Sequence, residues 1–179
     1  MIQAMTVQEI NDTLKRNEKS LMEFYASMPE VFWIKQPDGK WQAGQHLIHL
    51  IQSTNPLLKA LRRYPRFVLR WKFGTNNRSN RSFAEVVSRY LEKLEKSRGA
   101  VSPFSMNMPT TLVGERPHYQ SVFEKLNDQL IKQSLLIKEQ DLDSILLPHP
   151  LMGKMTLREI LMWNAYHTEH HLNVLKEKY

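Results

Sequence analysis

Near the end of the chain, the run His167-Thr168-Glu169-His170-His171 places imidazoles where aliphatic side chains belong. In a helix, Leu157, Ile160, Leu161, Asn164, His167, His171, Val174 and Leu175 share one face, so His167 and His171 stand one turn apart within an apolar stripe. Burying two imidazoles there is costly unless something binds them. A divalent transition metal does this most economically, because zinc, nickel, copper and iron all accept imidazole nitrogen, and histidines four residues apart on a helix reach a single ion. Two ligands rarely suffice, so a third is expected from elsewhere in the fold. The competing reading is a pair satisfied by carboxylates, carbonyls or water.

The residue inventory narrows the chemistry. With no cysteine in the chain, disulfides, thiolate nucleophiles and cysteine-based zinc sites are excluded, and a metal must rest on His, Asp or Glu. The spacing is His-Thr-Glu-His and not His-Glu-x-x-His, which sets Glu169 about 200° around the helix from His167 and argues against the base of a zinc peptidase.

The last helix, Met155 to Lys178, begins with Thr156 as N-cap and Glu159 at the box position. The same signature, Thr6 with Glu9, opens a first helix from Val7 to about Met28, which Pro29 helps to end. After a turn at Gln36 to Lys40, a second helix runs from near Trp41 toward Arg63, with Leu47, Leu50, Ile51, Leu57, Leu58 and Leu61 as its stripe and Pro56 expected to bend or split it. Tyr64 to Arg81 reads as an extended excursion. Ser82 caps a shorter helix, Phe83 to about Arg98, closed by Gly99. Ala100 to Pro117 reads as a long connection of the kind that lies across a site or an interface. A third long helix spans about His118 to Lys138, and Leu147 to Lys154 is a tight connection. The economical assembly is all-α: a four-helix bundle with an additional short helix and a long connection, forming one domain over residues 1–179.

Composition agrees with an ordinary globular chain, at 41% apolar and 24% charged residues. The N-terminus lacks the pattern of a signal peptide and no segment approaches eighteen consecutive apolar residues, so a cytoplasmic protein without membrane partners is expected. The net charge of +7 concentrates between Lys59 and Arg89, where nine cations face Glu85 alone. Such a patch could receive an anionic cosubstrate; without a recognised nucleic-acid motif, DNA or RNA is not the expected partner.

Bundles build metal sites from inward-facing side chains on facing helices, so the second helix should supply the third ligand. It offers His46 and His49, three residues apart, and helical phase favours His46 without excluding His49.

The chain resembles the DinB/YfiT-like superfamily. Trp41 followed eight positions later by His49 and then Leu50, the turn His149-Pro150-Leu151-Met152-Gly153, and the His-x-x-His-His pattern of His167, His170 and His171 occur in the family's order. The resemblance implies a bundle fold and metal ligands at His49, His167 and His171, with His46 as the alternate and His170 as a bystander. It departs in the middle of the chain, which is longer than a minimal member requires, and at His46, where relatives carry an aliphatic residue. It further implies a metal-dependent enzyme acting through a low-molecular-weight thiol, as in bacillithiol or mycothiol S-transferases and maleylpyruvate isomerases. Zinc or nickel would be the metal, with iron or manganese as alternatives. Three histidines leave an open coordination position, as catalytic sites do. A homodimer is expected from bundle precedent, and a non-catalytic interaction module or a metal-dependent hydrolase are the alternative functions.

Overall fold

Three helices start where a hydroxyl can cap them. Thr6, Ser82 and Thr156 each accept a hydrogen bond from the backbone N–H three residues on, and the carboxylates of Glu9, Glu85 and Glu159 in turn accept one from the cap residue's N–H, as the sequence pattern predicts. The computed structural model describes residues 4–97 and 108–179. The helices are α1 (Val7–Ser27), α2 (Ala43–Arg63), α3 (Arg66–Phe73), α4 (Phe83–Lys96), α5 (Arg116–Ser134), α6 (Glu139–Ser144) and α7 (Leu157–Lys178), with a 3₁₀ turn at Glu30–Ile34. The expected end of α4 at Arg98 and Gly99, and 100–107 of the long connection, lie outside the described residues.

The four long helices close a ring in which α1 packs on α7, α7 on α2, α2 on α5 and α5 on α1. The fold is all-α, a helical bundle with extra helices, and α4 packs against the outside of α7. α2 continues past Pro56, which is exposed and does not split it.

Three segments depart from the sequence reading. The expected extended excursion at 64–81 contains α3, which buries only Leu69. It is fastened by Arg66 Nη1 to the Leu61 carbonyl (3.0 Å) and by Arg70 to Asp141 and Ser144, and it ends at Gly74, whose φ of 91° suits glycine. The connection before the last helix is an antiparallel hairpin, β1 (Leu146–His149) with β2 (Gly153–Thr156), running directly into α7. α5 ends at Ser134, four residues before the expected Lys138, and the short α6 follows.

The core is not continuous. One apolar cluster gathers Ile10, Leu14, Leu57, Leu61, Leu130, Leu161 and Trp163; the other gathers Leu21, Tyr25, Trp33, Leu47, Leu50, Phe123, Leu172 and Leu175. On α1 and α7 the break between them falls at buried polar residues: Asn17 and Glu18 on α1, His167, Thr168 and His171 on α7. Polar groups at this level pair across the bundle: Asn17 Nδ2 donates to the Ala165 carbonyl (2.9 Å), Asn164 Nδ2 to Thr54 Oγ1 (2.8 Å), and Asn127 Nδ2 to Glu18.

Candidate metal centre

The break in the core is where the sequence-predicted histidines meet. His49 from α2 and His167 and His171 from α7 are all buried, and each offers one ring nitrogen within 4.8 Å of the others. Nε2 of His167 and Nε2 of His171 lie 3.1 Å apart. Two nitrogens each about 2.0–2.1 Å from one zinc ion, at angles between octahedral and tetrahedral, are separated by about 2.9–3.4 Å. That pair already has the spacing a shared ion requires. Among the described residues the cluster is histidine only.

Electrostatics keeps the two α7 rings, His167 and His171, neutral, which is the form that ligates. Burial pushes His167 and His171 well below the ordinary imidazole value, and the neighbouring histidines push in the same direction. His46 is lowered to about 3, chiefly by burial and then by His49. For His167 the hydrogen-bond partners favour one tautomer as well. Ser53 Oγ is placed to donate its one proton to the Leu50 carbonyl (3.1 Å), which leaves it an acceptor at 3.4 Å from His167 Nδ1. In that arrangement His167 carries its proton on Nδ1 and presents a bare Nε2 to the site.

His46 and His49 are both buried on the same broad face of α2. His49 joins the triad, whereas His46 meets Nδ1 of His171, the nitrogen turned away from His167, at 2.8 Å. His170 is half-buried, stands edge-on to Tyr90 and has no place in the cluster. Glu169 turns toward α1, where Asn17 Nδ2 lies 3.5 Å away. The orientation suits the sequence argument that it is not a base for this site.

Aromatic rings wall the triad. Trp41, in the turn before α2, contacts His46 and His49 and lies parallel to His171 at 6.1 Å. Trp163 stacks on His167 at 4.5 Å and also meets His149 of the hairpin edge-on at 4.2 Å. Tyr90 of α4 approaches His167 edge-on at 5.9 Å. The described part of the long connection crosses the start of α2, where Pro109 accepts from Gln45 Nε2 (2.9 Å) and the Thr111 N–H donates to Gln42 Oε1 (2.6 Å). It thus passes beside Trp41.

Part of the basic stretch is tied down within the fold. Arg78 and Arg81 converge on the fully buried carboxylate of Glu159, Arg70 pairs with Asp141, and Arg62 donates to Gln129 Oε1.

Sequence reasoning missed Ser53, Trp163, Tyr90 and Tyr179. Ser53 was within reach, since it lies four residues after His49 and so on the same face of α2. Tyr179, whose Oη is 2.9 Å from His46 Nε2, follows His171 by eight residues, too far for a local pattern to single it out.

The family model of the DinB superfamily matches residues 13–175. No curated protein and no solved structure matches the chain.

Proposed function

Since the chain belongs to the DinB superfamily, we propose that it is a metal-dependent enzyme, holding one divalent ion on His49, His167 and His171 and acting as a thiol S-transferase or isomerase. The observation that carries the metal reading is the buried triad with one nitrogen pair at 3.1 Å. Zinc or nickel suits three imidazoles, since both take nitrogen ligands readily. A bound ion supplies Lewis acidity toward an anionic sulfur or a carbonyl oxygen.

The protein's own residues would do the rest. His167 is held by Ser53 on one side and by the face of Trp163 on another, so its bare nitrogen stays aimed at the shared point. Trp41, Trp163 and Tyr90 give the site apolar walls that keep water from competing with a substrate. The thiol cosubstrate is carried by the family resemblance alone.

The test is elemental analysis of protein prepared without a histidine tag, followed by turnover assays across a panel of low-molecular-weight thiols. One ion per chain, lost in His167→Ala and His171→Ala, is expected. Protein that purifies without metal and takes up none on incubation with zinc or nickel would refute the reading.

A further inference from the structure

His46, Tyr179 and the Trp41 carbonyl form a chain of contacts leading away from His171, and its proton positions can be worked out from the far end. A carbonyl oxygen has no proton, so the contact between Trp41 O and Tyr179 Oη must be made by the phenol donating. With that proton used, Oη can only accept from His46 Nε2 at 2.9 Å. A neutral His46 protonated on Nε2 has a bare Nδ1, which lies 2.8 Å from Nδ1 of His171. His171 must therefore be the donor in that contact. Its proton is on Nδ1, and its Nε2, the nitrogen facing His167 Nε2 at 3.1 Å, is bare.

We propose that His46 and Tyr179 are positioning residues that lock His171 into its metal-ligating tautomer. The proposal rests on the metal reading of the triad and adds to it residues from the start of α2 and from beyond the end of α7. Without the lock, a neutral His171 can place its proton on Nε2 instead, pointing it at His167 and closing the site to a cation. With it, Nε2 of His171 and Nε2 of His167, the latter favoured as the bare nitrogen by Ser53, both direct lone pairs at one point. Two lone pairs at that distance repel unless a cation lies between them. The hydrogen bond from His171 Nδ1 also raises the basicity of Nε2, as outer partners of histidine ligands do.

The chain explains a residue that periodicity placed on the ligand face but that does not join the ligands. His46 is needed as an acceptor at Nδ1, a role an asparagine can imitate because its Oδ1 occupies nearly the same place on the side chain.

The experiment combines two readouts on untagged protein. Long-range proton–nitrogen spectra of the metal-free chain should show His171 protonated on Nδ1 and His46 on Nε2. Zinc affinity, measured by competition with a chromophoric chelator, should weaken roughly 10–100-fold in His46→Ala, stay near the wild-type value in His46→Asn, and weaken roughly threefold to tenfold in Tyr179→Phe. Thermal unfolding of each metal-free variant checks that it folds. Equal losses in His46→Ala and His46→Asn, or no loss in His46→Ala, would reduce His46 to packing and overturn the proposal. A wild-type chain that binds no zinc would defeat the metal reading, whereas an Nε2–H tautomer at His171 overturns the lock whether or not zinc binds.

Discussion

Glu159 is the residue whose removal tests most directly how α7, the helix carrying two of the three histidines, is held in place. Its carboxylate is completely buried and accepts from Arg78 Nη1 and Nη2 (both 2.7 Å), Arg81 Nη1 (3.2 Å), and the backbone N–H groups of Arg81 (3.3 Å) and Thr156 (3.2 Å). Breaking a buried pair by removing one partner costs about 3–5 kcal/mol. The lower end applies here, because the Arg78 and Arg81 side chains are 32% and 25% exposed and can rehydrate when the carboxylate is gone. Thr156 keeps its own bond to the N–H of residue 159, so the cap is only half lost. Glu159→Ala should therefore lose about 3 kcal/mol, or about 6–12 °C in Tm for a chain of this size, read by helical circular dichroism on metal-free protein at pH 7. The pH dependence gives an internal check. Burial alone would raise this carboxyl, but the hydrogen bonds from Arg78 and Thr156 hold it below the ordinary carboxylate value. Its contribution is then fully present above pH 4.5 and is lost as pH falls through the lower folded value, so wild type and variant should converge under acid conditions. A drop of less than about 2 °C at pH 7, well under the loss expected for a buried pair, would refute the reasoning.

Two further substitutions probe packing in the elements that hold the site. A Cβ at Gly44 would come within 2.4–2.7 Å of the indole of Trp33, itself fully buried, so Gly44→Ala should cost about 1–3 kcal/mol in overpacking, offset in part by about 0.5–1 kcal/mol of helix propensity; a net gain in chemical-denaturant midpoint would contradict the close approach. His149 is lowered to about 4 from 6.5 by burial, and its Nδ1 accepts from the Leu151 and Met152 N–H groups (3.2 and 3.1 Å). The unfolded chain thus takes up a proton first as pH falls, and stability should decline between pH 6.5 and 4 by up to about 3 kcal/mol from this ring. His149→Asn, which keeps an acceptor in place, should show a correspondingly shallower decline; parallel stability curves would rule the account out.

What was legible in the sequence was carried by strong local chemistry. The Thr6, Ser82 and Thr156 caps each reappear with their glutamate, because a hydroxyl followed three residues later by a carboxylate satisfies orphan N–H groups whatever the tertiary context. His167 and His171 were visible because two imidazoles interrupt an aliphatic stripe. α3 was not, since it buries a single leucine and its remaining anchors, Arg66 and Arg70, act through hydrogen bonds that leave no hydrophobic period. The hairpin strands are four residues each, too short for alternation to register. The choice between His46 and His49 defeated helical phase for a simple reason. Residues three apart differ by about 60° around a helix, and this face of α2 is wide enough to bury both. Which nitrogen faces which partner is decided by α7 and by Tyr179, neither of which α2 can reveal by itself.

The polar layer between the two apolar clusters also governs register. A bundle with a uniformly aliphatic core can slide one helix along its neighbours by a turn, about 5.4 Å, and exchange one leucine contact for another. Here such a slip of α7 would separate Asn164 from Thr54, His167 from Ser53, His171 from His46 and the Ala165 carbonyl from Asn17. Each buried group left without its partner costs about 1–3 kcal/mol, so a one-turn slip is disfavoured by several kilocalories per mole before any packing is considered. The histidines that make the site are thereby among the residues that admit only one alignment of the helices carrying them.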